Sequence, residues 1–133
     1  MIKLICDFSF LSHYVENFFS DDARESAQIV DKSVGRYLDG EKVLIIPSDV
    51  VDKLNQVYAS RYLVLATVYD VSEITNIKGD NDIDTLIKIS ALLRIKDSNT
   101  AVVSDDEYVK RKIKEHNHDT KVVSIKEALE LLK

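Results

Sequence analysis

An α/β fold of three layers, with a mostly parallel central sheet and helices on both faces, is predicted by two observations, and a third marks the edge where it would bind a ligand. Short apolar runs of strand length recur along the chain: Ile2-Lys3-Leu4-Ile5-Cys6, Val43-Leu44-Ile45-Ile46, Thr100 to Val103 and Val122-Val123. Stretches with apolar residues at helical spacing stand between them, and parallel strands need such crossovers. Acidic residues, Asp7 and Asp106, stand just beyond the first and third of these runs. In a parallel sheet, that carboxyl edge is where ligands bind.

The elements follow in order. After the first strand, Phe8 to Phe19 carries Phe8, Leu11, Val15 and Phe18 at helical spacing. Ser20-Asp21-Asp22 restarts a helix, with Asp22 and Glu25 as a capping box. That helix runs to about Leu38 with Ala27, Val30, Val34 and Leu38 as its apolar stripe, and Asp39-Gly40 ends it. Pro47 breaks the second strand, and Ser48 is placed to cap a helix through Val50, Val51, Leu54, Val57 and Tyr58. Tyr62 to Val71 fits a strand by its β-branched and aromatic content and a helix by continuation. Lys78-Gly79-Asp80-Asn81 reads as a turn, followed by a helix from Asp84 to about Leu93 with Leu86, Ile89, Ser90 and Leu93 inward. Asp97-Ser98-Asn99 is a loop, and Asp106 to His116 a helix with Val109 and Ile113 inward. Ser124-Ile125-Lys126-Glu127 is a capping box for a last helix through Leu131.

The 133 residues make one domain, 1–133, long enough for its own core. At 45% apolar and 31% charged residues, the composition is that of a folded globular chain. A single cysteine, Cys6, forms no internal disulfide and reads as a small buried hydrophobe in a reducing compartment. With no secretory signal and no apolar run of about 18 residues, the expected setting is cytoplasmic, without membrane. A net charge of −5 speaks against a broad electrostatic grip on nucleic acid, though not against a local one. Bound cations reverse the field where carboxylates cluster.

Two acidic clusters carry the chemistry, Gly79-Asp80-Asn81-Asp82-Ile83-Asp84 and Ser104-Asp105-Asp106-Glu107, with Asp7 as a third element. Asp is a favoured helix N-cap, so Asp84 and Asp105 taken singly read as caps, and Asp80 and Asp82 as turn residues. Together, three or four Asp at a strand edge suit a hard cation such as Mg²⁺ or Mn²⁺, which takes a few carboxylates and keeps waters for substrate phosphate.

Four segments resemble the PIN-domain ribonucleases across nearly the whole chain. They are Asp7-Phe8-Ser9-Phe10-Leu11, Leu44-Ile45-Ile46-Pro47-Ser48-Asp49-Val50-Val51, Asp84-Thr85-Leu86-Ile87-Lys88-Ile89-Ser90-Ala91 and Val102-Val103-Ser104-Asp105-Asp106. The resemblance implies a metal-dependent endoribonuclease that hydrolyses RNA phosphodiesters, with Asp7, Asp84 and Asp106 holding Mg²⁺ or Mn²⁺. It implies Ser9 and Ser104 as hydrogen-bond partners that orient carboxylates. Asp82 is the reserve if the third motif slips by two residues, and Asp105 a supporting ligand or a cap.

One position departs from the family. The acid expected one turn into the helix after Pro47 is Lys53, which has no lone pair to offer while charged. Asp49, four residues earlier on the same helix face, is the candidate replacement, whereas Asp52 is rotated by about 100°. Alternatively the Lys53 ammonium takes a metal's place, or it is an ordinary solvated residue. A catalytically degenerate PIN-like module that binds RNA or a protein is therefore the second expectation, and the toxin of a toxin–antitoxin pair a third. RNA is the expected substrate; a protein partner, an antitoxin or a second copy of the chain are the other partners.

Lys110, Arg111, Lys112 and Lys114 crowd the helix after Asp106, and Lys110, Arg111 and Lys114 are the candidate RNA contacts beside a competing reading as a solvated face. No interleaving of aromatic and basic residues along the chain suggests base stacking. His116-Asn117-His118-Asp119 reads as a polar loop, and His13 as a helix-surface residue or a proton carrier.

Overall fold

In a computed structural model, the chain is described for residues 2–18, 24–96, 99–117 and 119–133. Five strands, β1 (Ile2–Cys6), β2 (Leu44–Pro47), β3 (Glu73–Thr75), β4 (Asn99–Val103) and β5 (Val122–Val123), form one sheet in the order β3-β2-β1-β4-β5. All neighbours pair parallel, with Leu4 opposite Leu44 and Ala101, and Cys6 opposite Val103. Among the described residues, seven α-helices surround it: α1 (Phe8–Glu16), α2 (Arg24–Leu38), α3 (Ser48–Val57), α4 (Tyr62–Val71), α5 (Asp82–Lys96), α6 (Glu107–His116) and α7 (Ile125–Leu131), with a 3-10 turn at Ala59–Arg61 leading into α4.

Successive strand residues face opposite ways, so each strand feeds two cores. Leu4, Cys6, Leu44, Ile46, Ala101 and Val103 pack under α1, α2, α4 and α7 around the fully buried Phe10. Ile5, Ile45 and Val102 pack on the other face under Leu86 and Ile89 of α5 and Ile113 of α6. The three predicted layers are therefore present, and the sheet is wholly parallel. Removing one such Leu or Ile side chain to Ala costs about 2–5 kcal/mol, so both faces hold the sheet in register.

The chain works outward from β1 to β2 and β3, then crosses back through α5 to β4 on the other side of β1. The direction of winding thus reverses between β1 and β4. In such sheets, the crevice outside the carboxyl ends at that reversal is the place for a ligand.

Several elements differ from the sequence reading. Tyr62–Val71 is helical, because Leu65, Val68 and Val71 recur at helical spacing and bury together. The edge strand β3 was not foreseen; it has three residues, two of them exposed, and only pairing with β2 makes it a strand. In α2 the buried residues are Ser26, Ile29, Val30 and Ser33, while Leu38 is 79% exposed, so the inward stripe is rotated from the expected one. Helix α3 starts at Ser48 with Pro47 as its N-cap residue, and no side chain caps it. Helix α5 begins two residues earlier than expected, at Asp82, and Asn99 belongs to β4. The capping box of Ser124 and Glu127 is formed. The expected restart at 20–22 and loop residues 97–98 lie outside the described residues. No helix among the described residues is long and apolar enough to cross a membrane.

Candidate functional site

Asp7 leaves β1 and opens α1. Its Oδ1 accepts the Phe10 N–H at 2.9 Å, which caps the helix, and the Ser9 hydroxyl stands 2.8 and 2.9 Å from its two oxygens. Asp106 does the same after β4: it is the N-cap of α6, and its Oδ1 accepts the Tyr108 N–H at 2.9 Å. Asp7 and Asp106 are thus the helix caps, where Asp84 and Asp105 were the expected ones, and both stand at the carboxyl edge because a parallel strand that feeds a helix places the helix N-cap there.

The two acids are joined through serines. Ser104 Oγ accepts the Asp106 N–H at 3.1 Å and lies 3.4 Å from Ser9 Oγ, which faces Asp7. Ser9 therefore contacts the Asp7 carboxylate directly, and Ser104 contacts Ser9 and the Asp106 backbone. Asp7 is 4% exposed while Asp106 is exposed. Burial pushes the Asp7 carboxyl up from its ordinary value; hydrogen bonds from Ser104, the Phe10 amide and Ser9 pull it down, and the charge of Asp106 pushes it up further.

A cleft of about 160 Å³ opens over this pair, with Asp7, Asp49, Lys53, Asp82 and Asp106 in its walls. It adjoins a wider groove of about 800 Å³ between α5 and α6, walled by Asp80, Asp82, Asp84, Asp106, Lys112 and His116. Asp82 and Asp106 are shared by both. Among the described residues, no three His, Cys, Asp or Glu side chains are placed together as a metal-holding group.

Asp84 stands in the groove rather than in the cleft with Asp7. Its Oδ2 accepts the Asp80 N–H at 2.8 Å and lies 3.5 Å from Lys88 Nζ. The Asp80 amide and Lys88 both favour its charged form, so its carboxyl titrates below the ordinary value. Asn81, not an Asp, caps α5: its Oδ1 accepts the Asp84 N–H at 2.9 Å. Thr85 Oγ1 accepts the Gly79 N–H at 2.8 Å, so the first turn of α5 grips the 79–80 turn twice. Asp82, held in reserve at the sequence level, is the α5 acid that lines the cleft with Asp7 and Asp106.

The remaining candidates divide. Asp49 lines the cleft but is paired with Lys78 at 3.1 Å. Asp105 Oδ1 accepts the Ile125 N–H at 3.1 Å, which ties the end of β4 to the start of α7. Lys53 is exposed, lines the cleft, and holds its Nζ 4.1 Å from the centroid of the Phe8 ring. Phe8 in turn stacks with Tyr58 at 6.4 Å between centroids. Lys110, Arg111 and Lys114 wall a separate hollow on α6. His13 lies between α1 and α2, its Nδ1 3.3 Å from Ser26 Oγ, and is absent from the walls of the cleft. His116 ends α6 and lines the groove instead of standing in a loop, and His118 lies outside the described residues.

Phe8, Lys112 and His116 line the cleft or the groove and Lys78 pairs with Asp49, although none of the four was among the candidate site residues. Helix phase alone would have found two of them, since Val109, Lys112 and His116 share one face of α6 and Val109 was read as inward. Lys78 and Phe8 act through partners distant in sequence and carry no comparable signal. Comparison with protein-family models, curated proteins and solved structures finds no match to this chain.

Proposed function

We propose that this protein is a metal-dependent endoribonuclease of PIN-domain type, hydrolysing RNA phosphodiesters with Mg²⁺ or Mn²⁺ at the cleft over Asp7 and Asp106. The observation that carries this reading is the placement of these two acids. They end the two strands that flank the reversal of the sheet, line one cleft, and Asp7 is held there nearly dry within the field of Asp106. A buried carboxylate is costly to ionise, the more so with a second carboxylate nearby, and a cation beside Asp7 offsets that cost.

The donor set suits Mg²⁺, which commonly takes one or two carboxylates and fills its shell with waters and substrate phosphate. Asp7 and Asp106 would hold it, with Asp82 the α5 carboxylate on the same wall and Asp84 at the groove rim. Such a cation supplies a polarised phosphoryl oxygen and a more acidic water. The chain's own part is to orient: Ser9 and the Phe10 amide fix the Asp7 carboxylate, and Ser104 fixes the backbone of Asp106. A buried free thiol, Cys6, accords with the cytoplasmic setting that belongs to the same proposal.

Cleavage of single-stranded and structured RNA in Mn²⁺ by wild type and Asp7→Asn tests it. Activity in the wild type that falls by at least about a hundredfold in Asp7→Asn is expected. Equal activity in the two proteins, or none in either, ends the reading.

Lys53 favours a second reading, a degenerate module that binds RNA or a protein without turnover. Its ammonium stands in the wall of the cleft where a fourth carboxylate would strengthen cation binding. An inert wild type that gains cation-dependent cleavage in Lys53→Glu supports this reading over the first.

A further inference from the structure

We propose that the exposed face of α6 is a track for single-stranded RNA leaving the Asp7/Asp106 cleft, with Tyr108 as the platform on which a base stacks and Lys110, Arg111 and Lys114 as phosphate contacts. It rests on the ribonuclease reading of that cleft for the identity of its ligand.

Three hollows adjoin in sequence. The cleft and the groove share Asp82 and Asp106 in their walls, and the groove shares Tyr108 with a third hollow of about 730 Å³ whose other walls are Lys110, Arg111 and Lys114 with Glu107 and Glu115. Tyr108 is the ridge between the acidic side and the basic side. Tyr108 is 55% exposed, and the Arg111 guanidinium and Lys112 Nζ each lie 5.7 Å from its ring centroid. The backbone N–H of the same residue donates to Asp106 Oδ1, so the platform is fixed relative to the site.

Charge points the same way. Helix α6 carries Lys110, Arg111, Lys112 and Lys114 against Glu107 and Glu115, a net +2 in a chain of net −5. Glu115 is shared by Arg111 and Lys112, at 4.0 and 3.4 Å. Lys110 and Lys114 form no salt bridge with any described residue.

An exposed aromatic ring flanked by cations along a groove is the arrangement that binds single strands without sequence preference. A duplex keeps its base faces stacked inside and offers only phosphates to such a surface. Residues 108–112 of α6 thus bring together, beside the acids, a ring and cations that the sequence reading did not single out. An acidic protein segment would use the cations but would not need the ring's flat face.

The test is fluorescence anisotropy in Mg²⁺ with a labelled phosphorothioate oligouridylate, which resists cleavage, and a duplex of the same length. Wild type, Tyr108→Ala, Tyr108→Phe and the double variant Lys110→Gln/Lys114→Gln are compared, each first checked for an unchanged far-UV spectrum and melting temperature. Tyr108→Ala should bind the single strand about tenfold more weakly, the scale of one lost base stack, and Tyr108→Phe should retain binding. The double variant should lower the slope of log affinity against log salt by about 1.4, near 0.7 for each lost phosphate contact. Equal affinity of wild type and Tyr108→Ala, no binding of the single strand, or equal loss in Tyr108→Ala and Tyr108→Phe overturns the track. The cleavage comparison with Asp7→Asn is independent of these readings. A Tyr108-dependent single-strand affinity with no cleavage removes the nuclease and leaves the track, and the reverse result removes the track alone.

Discussion

The Lys53 ammonium lies 4.1 Å from the centroid of the Phe8 ring, one residue after the most buried acid of the site, Asp7. A cation over an aromatic face is attracted by the ring's quadrupole, by about 0.5–1 kcal/mol at an exposed place. Phe8 is itself stacked against Tyr58 and packed on the core, so the lysine is tethered at the cleft mouth.

On the proposed reading of the cleft, the Lys53 ammonium in its wall competes with a bound cation. Lys53→Glu is expected to lower the Mn²⁺ concentration at half-stabilisation by about tenfold or more, followed as melting temperature against added metal. Lys53→Met should lie between the two, having lost the positive charge without gaining a ligand. An unchanged midpoint in both variants would show that the ammonium does not share the cation's space.

Asp7 should cost stability in the absence of a cation. Its folded-state pKa is raised, chiefly by burial and also by Asp106, so the folded protein holds the Asp7 proton more tightly than the unfolded chain does. The associated stability is present below the unfolded pKa and is lost as pH rises through the folded one. Asp7→Asn is therefore expected to be more stable than wild type at pH 7 without metal, by roughly 1 kcal/mol, because Asn still accepts the Phe10 N–H. In urea melts the difference should shrink as pH falls through the carboxylate range. A variant less stable than wild type at pH 7 and equal at low pH would reverse this sign.

Gly79 and Gly35 should respond oppositely to alanine. A Cβ on Gly79 would collide with Asp84 Oδ2 and lie 2.7 Å from the Asp84 backbone carbon, so the turn must open. Gly79→Ala is expected to destabilise by about 1–3 kcal/mol and to free Asp84 from the Asp80 amide. A Cβ on Gly35, inside α2, meets nothing within 4 Å, and Gly35→Ala is expected to stabilise by about 0.5–1 kcal/mol. Denaturant midpoints of the two variants check both signs.

Ser124→Ala removes half of the capping box that opens α7 and should cost about 1 kcal/mol near neutral pH. The Ser124 amide, then its hydroxyl, lowers the Glu127 pKa, so the Glu127 contribution is present above the unfolded glutamate pKa and is lost as pH falls through the lower folded value. The penalty of Glu127→Gln should accordingly fade in melts at acid pH. A penalty independent of pH would assign the effect to the helix's apolar contacts instead.

Much of the architecture is legible from local patterning, and particular residues show why. Leu4, Ile5 and Cys6 are all buried, because a strand inside a parallel sheet has core on both faces, and such a run is visible in any linear reading. The box of Ser124 and Glu127 is legible for the same local reason: donor and acceptor are three residues apart. The segment Tyr62–Val71 was not, since its composition fits both periods and only packing against α2 and the sheet selects the helix. β3 is the plainest case, as three half-exposed or exposed residues become a strand only where Ile46 and Pro47 pair with Ile74 and Thr75.

By itself the sequence determined that acids follow the strands of a parallel sheet, because both strand and helix cap are written in neighbouring residues. It carried Asp7 and Asp106 to the same edge on that ground. Only the tertiary structure decided which α5 acid joins them: Asp82 lines the cleft, while Asp84 is turned onto the Asp80 amide and Lys88. The reason is physical. A carboxylate two residues further along a helix points about 200° away, and the turn that receives it is shaped by the absence of a side chain on Gly79. The position of Lys53 over Phe8 was decided in the same way, by two helices that meet only when the sheet has formed.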